Sequence, residues 1–587
     1  MRSTSLPGRI TGLLASIAMT AGVGLLGASP AAAATGAHYV DCSAAADGDG
    51  SAASPWNTLD SANAHTFGPG DELLLRRGTR CTGRQLAPRG SGSASAPVTV
   101  DAYGQGAKPL LAGEGQVTDV VLLHNQQYWQ IKNLEITNTG PTAAKRRGVH
   151  VVLEDFGTGH SYLLEGLDVH DVNGDPARKD DDASAGIFFE VLGNTTPTHF
   201  DDVRITNNTI RSVDRYGIEF WTRWMTRPEL ANQNCGSTCG PWTPQTGVRV
   251  TGNALSDIGG DGVAMHHTSG ALVERNTLAG FQRRAPQCSA GMWGWNTLDN
   301  TFQYNEMSGG HGTCDAQGMD LDEGNIGTLY QYNYSHDNDG GFLLLCNGAG
   351  STTTRNVVRH NISRNDGGQI FDFVCGKLTD TEIYGNYVYV GEPSPIVFNG
   401  NGSTGDNADF HDNVFYVADA GASYAAGTLP FTHNTFYGLR APGEPADPQK
   451  VTAGNSAGIR LPSGRSLDVP ANSTAAGTPL QLWDWHGRPN QRWTVLDQGA
   501  RGSLIVNAGS GLCLDVDEDS TASGAAITQW TCHGGDNQRW TAGGTGADTT
   551  LTSDRSGHLL TAEADTGGAA VTQRPARTTA QQKWTVG

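Results

Sequence analysis

A short phrase built on asparagine recurs through the middle of the chain and limits the folds open to it. Between residues 205 and 436 it returns nine times, at Asn208, Asn253, Asn276, Asn305, Asn333, Asn361, Asn386, Asn413 and Asn434. From Asn253 onward the spacing is 21 to 29 residues, the length of one unit in a stack of repeats. The segments between are short, strand-like and broken by Gly, Asn and Asp. The period therefore predicts an all-β chain whose main part is a right-handed parallel β-helix.

The recurring asparagines are expected to build the solenoid and not to perform chemistry. A short amide side chain tolerates the left-handed backbone angles of a sharp corner between strands. When coils stack, successive amides can also hydrogen-bond as a ladder along the axis.

The first 34 residues are typical of a secretory signal peptide. Arg2 and Arg9 precede an apolar run over residues 13–26, and the alanines at 32–34 form a small-residue cleavage site. No other segment is apolar enough to span a bilayer. We therefore expect a secreted, extracellular protein with no membrane association.

Ten cysteines are consistent with an oxidising compartment. Their order suggests five local pairs: Cys42–Cys81, Cys235–Cys239, Cys288–Cys314, Cys346–Cys375 and Cys513–Cys532. Two of these separations, 26 and 29 residues, are close to one coil, so the pairs would join neighbouring coils. The sequence does not force this pairing, and a zinc site is the alternative for Cys235 and Cys239.

The net charge of −20 bears on the partners. It disfavours nucleic acid, and it weakly disfavours a polyanionic substrate unless a cation bridges the two. The 79 glycines and the 17% of charged residues are typical of an extracellular β protein, which we expect to be monomeric.

The coil pattern stops near residue 440, and a second pattern follows a Pro-rich linker at 441–452. There NQRW ends at Trp493 and again at Trp540, and QQKW ends at Trp584, with spacings of 47 and 44 residues. With these three Gln-x-Trp motifs, residues 453–587 resemble the ricin B-type β-trefoil lectins, a carbohydrate-binding module. The resemblance implies that a β-trefoil follows the β-helix.

The lectin resemblance also implies two sugar sites. In each, an Asp would accept hydrogen bonds from sugar hydroxyls, a Trp would stack on the sugar ring and an Asn would orient the sugar. The implied sugar-binding residues are Asp468, Gln481, Trp483, Asn490 and Gln491 in the first repeat and Asp515, Trp530, Asn537 and Gln538 in the second. In the third repeat Thr561 and Arg574 replace the Asp and the aromatic residue, so that repeat is expected to be structural only.

The opening of the mature chain carries a further resemblance, which ends in the phrase VTVDAYGQGAKPLL. It resembles the N-terminal cap and first coil of secreted β-helix polysaccharide hydrolases and lyases, the pectate-lyase-like group. The resemblance covers the predicted catalytic domain, residues 35–440, and specifies the fold better than the substrate. The site must therefore be argued from the strands.

One strand of each coil is expected to present alternate residues outward. Aligned at their glycines, these strands predict two outward columns. The first reads Glu219, Ala264, Trp293, Asp320, Leu343 and Ile370, and the second reads Trp221, His266, Trp295, Asp322, Leu345 and Asp372. Glu190 is expected one coil before Glu219. Carboxylates that alternate with exposed tryptophans suit a sugar chain, because Trp faces bind C–H-rich sugar faces and acids move protons.

Asp320 and Asp322 are the leading catalytic candidates. As alternate residues of a strand they would lie about 6.7 Å apart, a separation that fits an inverting pair of carboxyl groups best. Further candidates for catalysis are Glu219, His266 and Asp372, and candidates for substrate contact are Glu190, Trp221, Trp293 and Trp295. The competing interpretation is that these acids cap turns or solvate a surface.

No cofactor or metal is expected, with one alternative. The run DLDEGN is an oxygen-rich calcium candidate, although its spacing does not match an EF-hand. Two insertions, residues 174–185 and 222–246, are expected to wall the site, because insertions in a solenoid tend to lie on its binding face. The alternative for each insertion is a disordered surface loop.

Three functions remain open. The leading hypothesis is a secreted glycoside hydrolase on an extracellular polysaccharide, with the lectin module raising its local concentration at the glycan. The first alternative is a polysaccharide lyase, which needs a strong base and a group that neutralises a uronate; the predicted columns contain no Lys or Arg. The second alternative is a non-catalytic adhesin with the β-helix as a stalk.

Overall fold

The computed structural model describes residues 36–231, 238–312, 314–376, 378–391, 395–399, 408–417, 421–426, 429–438, 456–497 and 502–586. The predicted signal peptide and the linker at 441–452 lie outside these residues. These residues are almost entirely β structure, and the α-helix found among them, Leu59–Ala64, is six residues long and capped by the Thr58 side chain. No helix in the described ranges is long and apolar enough to cross a membrane.

Three long parallel sheets form the main part, and each coil contributes strands to them in turn. The first sheet contains Ala37–Val40, Glu72–Arg76, Val98–Tyr103, Trp129–Lys132, Thr158–Glu165, His199–Thr206, Gln245–Thr246, Arg249–Thr251, Thr268–Ser269, Leu272–Glu274, Thr301–Gln303, Leu329–Gln331, Val357–Arg359, Thr381–Tyr384, Ala408–His411 and Phe431–Thr432. The second contains Arg80–Thr82, Leu110–Ala112, Glu135–Asn138, Asp168–Val172, Thr209–Val213, Ala254–Ile258, Thr277–Phe281, Glu306–Gly310, Tyr334–His336, Ile362–Arg364, Tyr387–Val390, Val414–Val417 and Thr435–Gly438.

The third parallel sheet carries the predicted site. Its strands are Asp119–His124, Arg147–Glu154, Ala185–Leu192, Tyr216–Thr222, Val263–His266, Met292–Trp295, Gln317–Leu321, Gly341–Cys346, Gln369–Cys375, Ile396–Asn399 and Ser423–Ala425. A small parallel pair, Thr66–Phe67 with Arg89–Gly90, lies near the N-terminal end. Inward-facing Val, Ile, Leu, Phe and Met from all three sheets form one continuous core. The coiled parallel β architecture predicted from the asparagine period is therefore confirmed.

The asparagine ladder is present, but its corner chemistry differs from the prediction. From Asn208 to Asn434 each side-chain amide donates to the next asparagine's Oδ1 at 2.9 to 3.0 Å. The asparagines themselves do not take left-handed angles. The residue before each one has a positive φ: Asn207, Gly252, Arg275, Tyr304, Tyr332, His360, Gly385, Asp412 and His433. The asparagine amide supplies the hydrogen bonds of the buried ladder, and the residue before it takes the left-handed backbone angle of the corner.

Four of the five predicted disulfides are formed: Cys42–Cys81, Cys288–Cys314, Cys346–Cys375 and Cys513–Cys532. Cys346 and Cys375 are paired in register on adjacent strands, so this bond joins neighbouring coils as expected. The predicted Cys235–Cys239 pair involves Cys235, which lies outside the described residues.

The C-terminal part is antiparallel and repeats three times. Its strands are Ala457–Arg460, Ser466–Asp468, Thr478–Pro479, Gln481–Trp483, Arg492–Asp497, Ser503–Asn507, Cys513–Val516, Ile527–Trp530, Trp540–Gly543, Thr550–Ser553, Leu559–Ala562, Ala569–Arg574 and Thr585–Val586. Trp493, Trp540 and Trp584 are fully buried at its centre. Their indole N–H groups donate to the carbonyls of Leu467, Leu514 and Leu560, one in each repeat. This three-fold core is that of a β-trefoil.

The β-trefoil packs directly against the second sheet of the β-helix. Tyr334, Ile362 and Tyr387 of that sheet form one apolar cluster with Leu504, Val506 and the Cys513–Cys532 disulfide. At its edge, the Tyr387 hydroxyl donates to the Gly511 carbonyl at 3.2 Å, and the Tyr416 hydroxyl donates to the Ala508 carbonyl at 3.1 Å. The two parts are therefore joined by a packed interface as well as by the linker.

Candidate active site and glycan sites

The third sheet brings the predicted acids together in a corrected register. The column that contains Asp320 reads His150, Phe188, Glu219, Ala264, Trp293, Asp320, Leu344, Asp372 and Asn399. Asp372 thus lies two coils from Asp320 in this column and not in the column predicted for Asp322. The predicted Leu343 and Ile370 are not members of the column. Glu190 was expected one coil before Glu219, but that position is held by Phe188, and Glu190 pairs with Trp221. We call the surface around Trp293, Asp320 and Asp372 the acid face.

Much of the predicted outward surface is covered by the two insertions. Trp221 and Trp295 are only 2% and 8% exposed, so the prediction of exposed tryptophans is wrong for both. They share an apolar cluster with Ala183 from the first insertion and Met225 and Leu230 from the second. An ion pair from Arg223 to Asp181, at 2.6 Å, joins the two insertions. In the described residues the insertions therefore act as a packed cover over part of this sheet, while Trp293 stays half-exposed.

The second insertion also lines a depression at the turns that follow the strands of the third sheet. Arg227 lies over the Trp242 ring at 4.2 Å, and its guanidinium donates to the Thr297 carbonyl at 3.1 Å. These two side chains, with Glu229, Leu298, Ile326, Thr352, Thr354 and Arg355, line a cavity of about 460 Å³. The predicted walling role of residues 222–246 is consistent with this arrangement.

Asp320 lies at the centre of the acid face and is buried. Its side-chain Oδ1 has no hydrogen-bond partner within the described part of the chain. Burial raises its pKa well above the ordinary value, and the nearby Asp322, Asp315, Asp261 and Asp372 raise it further. The surroundings of Asp320 therefore disfavour its ionised form.

Two half-buried acids flank the strand that carries Asp320. Asp322 follows the strand, and burial raises its pKa to about 7. Its Oδ1 accepts a hydrogen bond from the Glu323 backbone N–H at 2.7 Å. Asp315 precedes the strand, and burial together with Asp261 raises its pKa to about 6. Of the acids in this cluster, these two are the ones partly open to solvent.

The sequence reasoning missed Asp315. It lies outside the strand, directly after Cys314, and its backbone takes a positive φ of 55°. A usable signal was present, because the Cys288–Cys314 disulfide fixes this segment to the previous coil beside the strand of Asp320. The first insertion also supplies a basic group that was missed. The Lys179 charge lowers the pKa values of both Asp315 and Asp322, against the larger effect of burial.

Asp372 closes the acid face on the C-terminal side. It accepts from the Asn399 amide at 2.9 Å and from the Gln317 amide at 3.4 Å. Burial raises its pKa to about 6. Because both its oxygens accept hydrogen bonds from amides, Asp372 is suited to hold the Asn399 and Gln317 side chains in place.

A buried ion pair positions the half-exposed tryptophan. Asp261 is fully buried and pairs with Arg215 at 2.9 Å. Its other oxygen accepts from the Trp293 indole N–H and from the Ala290 backbone N–H, both at 2.9 Å. Asp261 therefore fixes the plane of the Trp293 ring. Sequence reasoning missed it because it lies in the turn before a strand.

Glu219 and His266 lie deeper than predicted. Glu219 is fully buried, and its Oε1 is 3.6 Å from the His266 Nδ1. Burial raises the pKa of Glu219 well above its ordinary value and lowers the pKa of His266 to about 3. His266 is therefore neutral at neutral pH, and burial disfavours the ionised form of Glu219. Their burial favours a supporting role over the predicted proton transfer.

Glu190 belongs to a separate buried network and not to an exposed substrate surface. Its Oε2 is 2.9 Å from the His150 Nε2, and the opposite ring nitrogen is 3.3 Å from Asp119. Arg147 is 3.9 Å from Glu190 and donates to the Ala183 carbonyl at 2.9 Å. Since Glu190 is 2% exposed, this network supports the sheet beneath the first insertion.

The first trefoil repeat builds one predicted sugar site. Asp468 accepts from the Gln481 amide at 2.8 Å and from the Asn490 amide at 2.9 Å. Trp483 is 43% exposed beside them. These residues line a depression of about 340 Å³.

The second repeat builds an equivalent site. Asp515 accepts from the Asn537 amide at 3.0 Å and from the Gln538 amide at 2.8 Å, and Trp530 is 44% exposed. The depression here is about 600 Å³. In the third repeat Thr561 accepts from Gln582 and Arg574 pairs with Glu563, so the described residues offer no aromatic platform there.

Two predicted sugar contacts need correction. Gln491 and Gln538 are both fully buried and therefore cannot touch a sugar directly. Gln491 accepts from the His486 backbone N–H and Gln538 from that of His533, at 2.7 and 2.8 Å. They hold the loops that shape the sites.

Two groups in the described residues have the composition and spacing to hold a metal ion: His38, His65 and Asp71, and Cys288, Cys314 and Asp315. In the second group the cysteines are joined in a disulfide, which removes them as ligands. The calcium alternative at DLDEGN remains a prediction.

Comparison with known proteins agrees with this two-part architecture. Residues 191–371 match the family described as right handed beta helix region, and residues 456–584 match the ricin-type beta-trefoil lectin domain. The chain joins a right-handed β-helix to a ricin-type β-trefoil. The handedness and both resemblances expected from the sequence are therefore confirmed.

Lacto-N-biosidases are among the proteins that the chain resembles. A lacto-N-biosidase of Bifidobacterium longum subsp. longum is 29% identical over 449 residues, covering 62% of this chain and 28% of that protein. The chain thus spans less than a third of this curated relative. Two crystal structures of a GH136 lacto-N-biosidase from Eubacterium ramulus are each 25% identical, with TM-scores of 0.56 and 0.53. The first covers 65% of this chain and 68% of that chain; the second covers 67% of each.

Proposed function

We propose that the chain is a secreted glycoside hydrolase that cleaves an extracellular glycan at the acid face and holds glycan on its β-trefoil. The similarity to lacto-N-biosidases supports a glycosidase over a lyase or an adhesin. It also makes glycans that contain lacto-N-biose the first substrates to test. The disulfides of the β-helix and the predicted signal peptide support secretion.

The observation that carries the catalytic proposal is the half-buried pair Asp315 and Asp322. Glycoside hydrolysis needs one carboxylic acid to protonate the leaving oxygen and a second, ionised carboxylate to act as base or nucleophile. Asp322, with its pKa raised to about 7, is suited to hold the proton. Asp315, with its pKa raised to about 6, is suited to be ionised. Burial raises both pKa values, and the higher value at Asp322 favours it as the acid and Asp315 as the base or nucleophile.

The neighbours of this pair support it in distinct ways. Asp320, predicted as a partner of Asp322, is buried, so we assign it a supporting role beneath the pair and not direct proton transfer. Trp293, held by Asp261, offers a ring on which a pyranose can stack. The charge of Lys179 lowers the pKa values of Asp315 and Asp322 and so opposes the effect of burial.

The proposal is tested with neutral and uronate-containing glycans, including a chromogenic glycoside of lacto-N-biose. New reducing ends and the ultraviolet absorbance of an unsaturated uronate are followed together, with and without EDTA. Reducing ends without that absorbance, lost in Asp322→Asn and Asp315→Asn, support the hydrolase. Absorbance that grows with the reducing ends would instead establish the lyase, and glycan binding without any cleavage would establish the adhesin.

The trefoil half of the proposal rests on its two exposed tryptophans, each beside an aspartate already oriented by amides. Such a carboxylate accepts sugar hydroxyls, while the indole covers an apolar sugar face. A weak sugar site raises the local concentration of the attached enzyme at its substrate. Binding of immobilised glycan by the chain, lost when Trp483 and Trp530 are both replaced by Ala, is the expected result.

A further inference from the structure

The two trefoil sites are built on the same backbone but carry different charges. In the first repeat the loop Val469 to Ser473 reads VPANS, and in the second the loop Val516 to Ser520 reads VDEDS. Both loops form a short, tight turn with the same backbone shape. Ala471 and Asn472 have φ values of 54° each, and Glu518 and Asp519 have 53° and 52°. The loops therefore place their side chains alike at the two sites.

The second-repeat site is strongly acidic. Five acids line it: Asp515, Asp517, Glu518, Asp519 and Asp536. The one arginine of its lining, Arg555, is paired with Asp519 at 2.8 Å. A ligand that stacks on Trp530 thus meets a surface with a large excess of negative charge.

The first-repeat site is close to neutral. Asp468 is the only acid among its described lining residues, and Arg488 and His486 lie beside it. The positions that hold Glu518 and Asp519 in the other site are Ala471 and Asn472 here. An anionic ligand on Trp483 would therefore meet no comparable repulsion and would find a guanidinium within the site.

From this difference we infer that the two sites sort glycans by charge. The second-repeat site takes neutral glycans and rejects those that carry sulfate, sialic acid or uronate, whereas the first-repeat site accepts both kinds. Like charges brought together at a binding surface disfavour the wrong ligand more than they affect the right one. The inference rests on the proposed sugar binding by the trefoil and specifies the ligand class of each site.

The test uses the full chain with one site active at a time. Trp530→Ala leaves the first-repeat site, and Trp483→Ala leaves the second. Each protein is applied to an array of neutral oligosaccharides paired with their sulfated or sialylated forms. The Trp530→Ala protein is expected to bind both members of a pair within about threefold, and the Trp483→Ala protein to prefer the neutral member by about tenfold at low salt.

Reciprocal loop variants separate charge from shape. In the Trp483→Ala protein, the combined changes Asp517→Asn, Glu518→Ala and Asp519→Asn are expected to remove the preference for neutral glycans. In the Trp530→Ala protein, Ala471→Glu with Asn472→Asp is expected to create it, since the other repeat already holds acids at these backbone angles. High salt should weaken the preference by screening.

The outcomes separate a failure of the sorting by charge from a failure of the proposed glycan binding by the trefoil. Binding of neutral glycans with equal binding of their anionic partners at both sites would overturn the sorting by charge alone. A preference that stays unchanged in the loop variants would also overturn it. If the native chain binds neither neutral nor anionic glycans, the proposed trefoil function fails and the inference fails with it.

Discussion

Asp320 of the acid face and the aspartates of the trefoil sites have different surroundings. In the trefoil, Asp468 and Asp515 each accept two side-chain amides, which fix their direction. In the acid face, Asp320 leaves an oxygen without a partner and lies among other acids that raise its pKa. Burial raises the pKa of Asp515 to about 7 as well, so a raised pKa alone does not separate the regions. The difference is that the trefoil aspartates are fixed by amides beside an exposed Trp, whereas Asp320 lies among several other acids. The comparison assigns sugar recognition to one region and proton transfer to the other.

The largest expected effect is on the accessible acids. Asp322→Asn or Asp315→Asn should lower kcat/KM by about 10² to 10⁴-fold, because each removes a group that moves a proton or attacks the sugar. Glycan binding by the trefoil should be unchanged. Asp299→Asn, at an exposed corner where the side chain is 61% exposed, is the matched control and should keep full activity. Equal losses of cleavage and of glycan binding would break the division between the regions.

The next effect concerns stability and pH. The pKa of Asp320 is raised above the ordinary value of the unfolded chain, so its contribution to stability is present below about pH 4 and is lost as pH rises. Asp320→Asn removes this titration. The variant should match the native chain at pH 4 and exceed its free energy of unfolding at pH 8. Chemical denaturation at the two pH values checks this, and a difference that does not change with pH would contradict it.

A smaller effect is expected in the trefoil. Trp483→Ala and Trp530→Ala should each remove most glycan binding at their own site, a loss of more than about tenfold, because the stacking surface for the sugar ring is gone. Hydrolysis of a small soluble substrate should be unchanged in both variants. Titration with neutral oligosaccharide measures the first result and initial rates measure the second. A fall in kcat on the soluble substrate would show that the regions are not separate in function.

The smallest effect tests whether the two regions are rigidly joined. Tyr387→Phe removes the hydrogen bond to the Gly511 carbonyl while keeping the ring in the interdomain cluster. A loss of about 0.5 to 1 kcal/mol in unfolding free energy is expected. Thermal unfolding with matched probes in both parts would detect it. Two independent transitions in the native chain, both insensitive to this change, would contradict the packed interface.

The fold was more predictable than the site. The asparagine period and the Gln-x-Trp repeats report regular stacking, which depends on local residue types, and both architectures were predicted from them. The ladder from Asn208 to Asn434 follows directly from that period. The corner angle did not, because it falls on the residue before each asparagine, which has no common identity.

The site was predicted only in part because it depends on contacts between coils. Asp320, Asp322 and Asp372 were found from alternation along strands, but alignment at glycines misplaced Asp372, because Gly341 pairs with Gln317 and not with Gly318. Asp315 and Asp261 lie in turns, where alternation gives no signal. The burial of Trp221 and Trp295 depends on where the insertions pack, and no local pattern in the sequence specifies that.

The pH dependence of kcat/KM tests the central claim most directly. With Asp315 ionised and Asp322 protonated in the active form, the profile of the native chain should be bell-shaped, with limbs set by pKa values of about 6 and about 7. Activity should fall below the first as Asp315 takes up a proton and above the second as Asp322 loses one. The residual activity of Asp322→Asn should lose the alkaline limb only. A native profile without these limbs, or an alkaline limb that persists in Asp322→Asn, would contradict the assignment of this pair.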